Sequence, residues 1–172
     1  VRELVRPERA KVKIAYRRDN WWRFAAWAPS MRKAITDLSE VLVIARVSKT
    51  VMPMRIPTGS VPSEACVVFA SDSYGAQAVL SSSLHQLWAI TYGSGMRNDP
   101  RYTPSDVFET FPRPDTTTDI AELGLVLDGE RRAIMMRRDF GLTKLYNLVN
   151  DQAVGAGADS DVDRIRELHV EL

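Results

Sequence analysis

The chain is poor in the side chains on which most enzymes and metal centres depend. Its 172 residues include one cysteine, Cys66, and two histidines, His85 and His169. A single cysteine excludes both an internal disulfide and a metal site built from several cysteines. Cys66 begins an apolar stretch, which favours a buried and inert thiol over a nucleophile. Neither histidine has a catalytic or metal-binding partner nearby in the sequence, so we interpret both as structural residues.

Long apolar runs and cofactor-binding motifs are also absent from the sequence. No run approaches the roughly 18 residues that a membrane span requires, and no basic-then-apolar signal segment opens the chain. Together with the single cysteine, this favours a cytoplasmic protein without a membrane partner. The sequence has no Gly-x-Gly-x-x-Gly, Walker or His-Glu-x-x-His motif, so we assign no catalytic, cofactor-binding or metal-binding residue.

What the sequence does hold is an uneven distribution of charge. Residues 1–60 contain 13 Lys/Arg and 5 Asp/Glu, a net charge of +8, although the whole chain carries only +1. Residues 61–114 carry −2 and residues 115–172 carry −5. A basic half beside an acidic half is typical of a protein in which one region faces phosphates. A solvated helix face also carries many arginines, so the charge alone does not decide the function.

Hydrophobic patterning predicts several short strands and two helices before residue 115. Val41–Ser48 is rich in β-branched residues and continuous, which is typical of a central strand. Apolar residues recur at spacings of three and four through Ser73–Tyr92, which predicts a helix; we expect its Leu84 and Leu87 to lie in the core beside Leu80 and Trp88. A shorter helix is predicted for Ser30–Leu38. The other predicted strands are Lys11–Arg18, Val51–Ile56, Ala65–Ala70, Arg101–Thr103 and, less regularly, Phe108–Phe111.

The pattern changes after Pro114. Asp119 and Ser160 each begin a helical pattern with an acidic residue three positions later, as in a capping box. We therefore divide the chain into a domain of residues 1–114 and a helical C-terminal appendage of residues 115–172. The expected fold class is α+β, with a small mixed β-sheet and packed helices in the first part.

Short segments with distinctive sequences follow one another in a fixed order. Their order resembles that in the target-recognition domain and C-terminal helical region of MmeI-like (type IIG/IIL) restriction-modification DNA methyltransferases. The resemblance covers nearly the whole chain, and Arg113 departs from it because an apolar residue is expected between the two prolines. The matching segments are VRPER at 5–9, WWRF at 21–24, VLVIARVSK at 41–49, LSSSLHQLWA at 80–89, RYT at 101–103, FETFPRP at 108–114, GLTKLYN at 141–147 and IRELH at 165–169.

The resemblance implies that this chain chooses a DNA sequence and performs no catalysis itself. It implies binding to double-stranded DNA and contact with the methyltransferase domain of the same parent chain. The parent would use S-adenosylmethionine to methylate a base, and we expect that base to be adenine. The Asn/Asp-Pro-Pro-Tyr/Phe motif of such enzymes does not occur here. Since Val1 and Leu172 both lie in apparently helical sequence, we expect the chain to be a piece of a longer protein.

For a DNA-recognition domain, two groups of residues are the candidate contacts. Arg46, Lys49 and Arg55 lie on or beside neighbouring predicted strands, so we expect one basic strip that neutralises phosphates. A polar loop follows the Ser73–Tyr92 helix, and its side chains suit contacts to base edges, sugar or phosphate. The candidates in that loop are Arg97, Asn98, Arg101 and Tyr102.

Some residues, and the chain as a whole, allow a second functional interpretation. The aromatic residues Trp21, Trp22, Phe24 and Trp27 suit base stacking, but a small module more often needs them as core. The arginines between positions 131 and 138 predict an exposed helix face, with DNA-backbone contact as the alternative. A protein-interaction module that docks through the acidic helical tail is the alternative function, and a stand-alone enzyme has the least support.

Overall fold

The computed structural model describes residues 2–23, 28–96 and 99–172 of the chain. The chain divides into two compact units, Val1–Ala34 and Ile35–Leu172. The first unit contains α1 (Arg2–Ala10), α2 (Ala15–Asp19) and α3 (Pro29–Ala34). The second unit contains β1 (Glu40–Ala45), β2 (Met54–Pro57), β3 (Cys66–Phe69), α4 (Tyr74–Ser81), α5 (Ser83–Tyr92), β4 (Ser94–Met96), β5 (Asp99–Arg101), α6 (Thr118–Arg138), α7 (Leu142–Val149) and α8 (Ser160–Glu171).

The first unit is helical where it is described. The strand predicted for Lys11–Arg18 is wrong, because Ala15–Asp19 is a helix and Ile14 remains exposed. An alternating pattern forms a strand only when one of its faces is covered, and no residue of α1, α2 or α3 is buried. Trp21 and Trp22 pack edge to face with ring centres 5.7 Å apart. Phe24 and Trp27 lie outside the described residues.

The second unit is built around an antiparallel sheet in the order β2–β1–β3. β1 is central, as predicted, because its continuous β-branched sequence is buried between two neighbours; Leu42 pairs with Arg55 on β2 and with Phe69 on β3. Strands β4 and β5 form a separate antiparallel hairpin. The α+β class is therefore confirmed, but each strand pair among the described residues is antiparallel rather than part of a mixed sheet.

The helix predicted for Ser73–Tyr92 is two helices, α4 and α5, that meet at Ser82. Ser82 has an extended backbone, and its side-chain oxygen accepts a hydrogen bond from the His85 N–H, so it caps α5. Serine hydroxyls compete with the helical backbone for hydrogen bonds, and three serines in a row favour such a break. The break turns Leu84 and Leu87 to solvent, 70% and 61% exposed, so their expected place in the core is wrong.

Residues 115–172 pack against the sheet-bearing part of the same unit. Helix α6 lies along α4, and Gly124 permits their close approach because a Cβ there would overlap the Tyr74 carbonyl. The first core lies between the sheet and the helices α4 and α5, and it contains Leu42, Phe69 and Leu80. A second core joins Met52, beside β2, to apolar side chains of α6, α7 and α8. The division predicted at residue 114 stays a prediction, since α4 and α6 lie on either side of it within one compact unit.

Two further expectations concern loops and membranes. Phe108–Phe111 was expected to be a strand, but it is a turn, in which the Phe111 N–H donates to the Val107 carbonyl at 3.0 Å. Within the described ranges, no helix has both the length and the apolar character needed to cross a membrane.

Candidate nucleic-acid interface

The β4–β5 hairpin is attached to the end of the central strand. The Tyr102 N–H, just after β5, donates to the Arg46 carbonyl at 2.8 Å, and the Ser48 N–H donates to the Pro100 carbonyl at 3.3 Å. The segment that follows β1 therefore runs beside β5. This arrangement brings the backbones of Arg46 and Arg101, two predicted contacts from separate parts of the sequence, next to each other.

The cationic residues of this region differ in their surroundings. Lys49 is exposed, whereas Arg46 and Arg101 are half-buried. The Nε of Arg46 donates to the Glu64 carbonyl at 3.0 Å, which anchors its side chain beside the start of β3. Arg97 and Asn98, which connect β4 to β5 in the sequence, lie outside the described residues.

Arg55 does not join this group, because its side chain is directed into the unit. It lies opposite Leu42 in the sheet, and directly opposed residues project from the same face. That face is covered by helices, so Arg55 is only 6% exposed. Its guanidinium donates to Glu40 at 3.1 Å and to the Asp72 carbonyl at 2.5 Å. The predicted strip of Arg46, Lys49 and Arg55 is therefore not one exposed surface.

Arg55 instead belongs to a closed ring of five polar side chains, which we call the polar ring. Its members are Glu40, Arg55, Gln77, Asp128 and Arg132. Arg55 donates to Gln77 at 3.3 Å, and Gln77 donates to Asp128 at 2.6 Å. Arg132 donates to Asp128 at 2.7 Å and lies 3.7 Å from Glu40, which closes the ring. The ring joins the sheet to α4 and α6.

The arginines between positions 131 and 138 are divided between the surface and the interior: Arg132 and Arg137 are exposed, as predicted, whereas Arg138 is half-buried. Arg131 is fully buried, with its Nη2 3.5 Å from an Asp128 oxygen. Arg137 pairs with Asp161, and Arg138 donates to both carboxylate oxygens of Asp159 at 3.0 and 2.8 Å. The hydrogen bond from Arg138 lowers the pKa of Asp159. Arg137 and Arg138 therefore link the end of α6 to the start of α8, whereas Arg131 pairs with a carboxylate of its own helix.

Tyr102 is also an internal residue, since it is only 1% exposed. Its hydroxyl lies 3.0 Å from His85 Nε2, while His85 Nδ1 lies 2.8 Å from the Leu80 carbonyl. A carbonyl only accepts, so Nδ1 carries the proton, Nε2 accepts and the tyrosine donates. Burial lowers the pKa of His85 to about 4 and raises the pKa of Tyr102. The expectation that Tyr102 packs on a sugar or base therefore does not fit its position.

A second tyrosine–histidine pair lies in the helical region. The buried Tyr146 has its hydroxyl 2.7 Å from His169 Nε2. Burial, followed by the nearby positive charge of Arg131, lowers the pKa of His169 to about 4. Both histidines are thus hydrogen-bonded within the chain, and the sequence indicated neither tyrosine partner.

Comparisons with known proteins relate the chain to one family. The family model described as "MmeI, target recognition domain" matches residues 3–115. The solved structure of the type IIL restriction-modification enzyme MmeI in complex with DNA resembles the chain with a TM-score of 0.63 and 16% sequence identity, a likeness of fold. The likeness covers 97% of this chain but only 21% of the MmeI chain. A search of the curated proteins finds no match.

Proposed function

The chain belongs to the family of MmeI target recognition domains, and we propose that it selects the double-stranded DNA sequence on which a longer restriction-modification enzyme acts. The observation that carries this proposal is the β4–β5 hairpin, which is joined to the sheet at its base and flanked by cationic residues. A two-stranded ribbon is one of the few protein elements that fit into the major groove of DNA.

We propose separate roles for the residues around the hairpin. Lys49 and Arg46 neutralise phosphates, which sets the position of the domain without reading sequence. Arg97, Asn98 and Arg101 are the proposed base-reading residues, because arginine pairs with guanine and asparagine with adenine through two hydrogen bonds. Arg55 and Tyr102 leave the set of contacts, since both are buried.

The remainder of the enzyme is also a proposal. This chain spans about a fifth of the MmeI chain that it resembles. The parent would contain a methyltransferase domain that contacts this chain, binds S-adenosylmethionine and methylates adenine in the cytoplasm. No residue of the present chain is proposed to bind that cofactor.

For residues 115–172 we propose a supporting role rather than the alternative, docking role. The apolar faces of α6, α7 and α8 pack on one another and on Met52. The side of α6 that carries Gly124 packs on α4. Deletion of residues 115–172 would therefore expose the core instead of removing an independent docking tail.

The salt dependence of DNA binding tests the proposed phosphate contact. The 172-residue chain is titrated with labelled duplex at two salt concentrations, beside the variants Lys49→Ala and Lys144→Ala. Each phosphate contact contributes about 0.9 to the slope of log affinity against log salt, so Lys49→Ala should reduce the slope by about that amount. Lys144 lies on α7, against Phe140, and its removal should leave the slope unchanged.

Two results would count against this assignment. Equal slopes for the two variants would show that Lys49 has no special part in binding. Binding of the wild-type chain that does not depend on salt, or no binding at all, would contradict the proposed function itself.

A further inference from the structure

We propose that His85 and Tyr102 are positioning residues for the β4–β5 hairpin, and that their hydrogen bond is needed for discrimination between DNA sequences more than for DNA binding. The inference rests on the proposed function, because it assigns a role to residues that support the proposed reading hairpin. Neither residue is proposed to touch DNA.

Tyr102 is held at both its backbone and its side chain. It directly follows Arg101, the last residue of β5, and its N–H donates to the Arg46 carbonyl at 2.8 Å. Its ring packs edge to face on Phe69, with ring centres 6.0 Å apart. Tyr102 is covalently linked to Arg101, and its backbone is hydrogen-bonded to that of Arg46. A shift of the Tyr102 ring would therefore move both proposed DNA contacts.

His85 fixes the far end of the Tyr102 side chain. Its two ring nitrogens are both engaged, one with the Leu80 carbonyl of α4 and the other with the Tyr102 hydroxyl. The imidazole packs edge to face on Phe111, with ring centres 5.0 Å apart, and is fully buried. Rotation of the ring would therefore break both hydrogen bonds inside a fully buried site, where an unpaired polar group is costly.

Strand β4, the other strand of the hairpin, is also held at the base of the hairpin. A Cβ at Gly93 would lie 3.1 Å from the Arg101 carbonyl, so this glycine lets the end of α5 approach β5 closely. The Ser94 hydroxyl lies 3.1 Å from the Thr103 hydroxyl across the base of the hairpin. The base of the hairpin is thus fixed from α5 and from the segment that follows β1.

The two kinds of DNA contact differ in how much displacement they tolerate. A hydrogen bond to a base edge weakens steeply when its angle changes, and a binding site must hold its contacts to within about 0.5 Å. A phosphate contact by a flexible lysine is mainly electrostatic and tolerates a shift of the backbone. Loosening the hairpin base should therefore reduce specific binding and leave non-specific binding nearly unchanged.

The chain contains a matched control for this test. Tyr102→Phe removes the hydroxyl that donates a hydrogen bond to His85 Nε2, and Tyr146→Phe removes the hydroxyl beside His169 Nε2. Both tyrosines are buried, but Tyr146 lies on α7 in the second core. Each variant leaves one histidine nitrogen without its partner, in a fully buried site at His85 and in a part-buried site at His169, and thermal unfolding should show that both variants are destabilised. A general loss of stability is thereby separated from a loss of hairpin position.

The measurement is the ratio of two Kd values, for a scrambled duplex and for the duplex that the wild-type chain enriches from a randomised pool. Tyr102→Phe should lower this ratio at least about fivefold, the lower end of the range for one lost bidentate base contact. Its Kd for the scrambled duplex should change less than about twofold. Tyr146→Phe should leave both values within about twofold of the wild type.

Other outcomes overturn the inference in distinguishable ways. An unchanged ratio for Tyr102→Phe, or an equal fall for Tyr146→Phe, refutes the positioning role while the proposed function stands. A wild-type chain that enriches no sequence refutes both. His85→Gln, which keeps an acceptor for the Tyr102 hydroxyl, should retain more of the ratio than His85→Leu. Equal ratios for these two variants would also contradict the inference.

Discussion

Replacement of Asp128 by alanine tests how strongly the polar ring joins the helical region to the sheet. Asp128 is only 4% exposed, and its carboxylate accepts hydrogen bonds from Gln77 at 2.6 Å and from Arg132 at 2.7 Å. The same carboxylate is 3.5 Å from the guanidinium of the fully buried Arg131. The alanine variant therefore leaves one buried cation without its counter-ion and one buried amide without its acceptor.

The expected cost follows from burial. Removal of one partner of a buried ion pair destabilises a protein by about 3 to 5 kcal/mol, because the remaining charge stays out of water. The exposed pair of Arg164 and Glu167, at 3.5 Å, provides the comparison; such pairs contribute between about 0 and 1 kcal/mol. Asp128→Ala should thus lower the free energy of unfolding by about 3 to 5 kcal/mol, and Glu167→Ala should lower it by at most about 1 kcal/mol.

Urea unfolding followed by circular dichroism and by tryptophan fluorescence is the assay. The fluorescence of Trp88 reports on the sheet-bearing part once Trp21, Trp22 and Trp27 of the first unit are replaced by phenylalanine in every chain compared. The helical signal includes α6, α7 and α8. If the polar ring and the second core join these parts, both signals should shift together in Asp128→Ala. A loss of unfolding free energy in Asp128→Ala no larger than that in Glu167→Ala would refute the reasoning. It would also be refuted if, in the wild-type chain, circular dichroism and fluorescence reported unfolding at different urea concentrations.

Two further predictions concern α6 and His85. Gly124→Ala should destabilise the chain by about 1 to 3 kcal/mol, because its Cβ would overlap the Tyr74 carbonyl in a packed helix contact. Gly129→Ala, with open space around its Cβ, should stabilise α6 by up to about 1 kcal/mol. Thermal unfolding of the two variants checks the sign of each effect. Since burial lowers the pKa of His85 from 6.5 to about 4, the unfolded chain takes up this proton first as the pH falls. The contribution of neutral His85 to the free energy of unfolding should be complete above about pH 6.5. It should be lost progressively down to about pH 4, by up to roughly 3 kcal/mol. Urea unfolding at several pH values should show that the stability of His85→Gln depends less steeply on pH than that of the wild type, and identical pH dependences would contradict the assignment.

The central sheet could be predicted from local sequence because its determinants are local. The stretch from Val41 onwards is continuous and β-branched, and it forms β1 as expected. Proline, glycine and serine clusters mark the turns on either side of β2 and β3. The order of motifs along the chain likewise predicted the family that the target recognition domain model matches.

The direction of polar side chains could not be predicted in the same way. Arginine is usually a surface residue, and the partners that hold Arg55 in the interior come from distant parts of the sequence, such as Glu40 and Gln77. One local signal was available. Gln77 stands among alanine and valine in α4 and is itself buried, and a polar residue on an otherwise apolar helix face requires a buried partner.

Exposure of Leu84 and Leu87 was missed for a different reason. Their spacing fits an apolar helix stripe only if the helix continues unbroken from Tyr74, and the break at Ser82 changes the face that they occupy. The serine run was visible in the sequence, but periodicity over a long window averages across such a break. The error therefore came from the assumed length of the helix rather than from the hydrophobic residues themselves.

Selection from a randomised duplex pool tests the central claim most directly. The 172-residue chain is incubated with the pool near physiological salt, the bound DNA is sequenced, and enrichment is compared with that of a variant in which Arg97, Asn98 and Arg101 are alanine. We predict that the wild-type chain enriches one short sequence motif and that the variant binds DNA without enriching it. Binding of the wild-type chain with no enriched motif, or enrichment of the same motif by the variant, would contradict the claim that this hairpin chooses the DNA sequence.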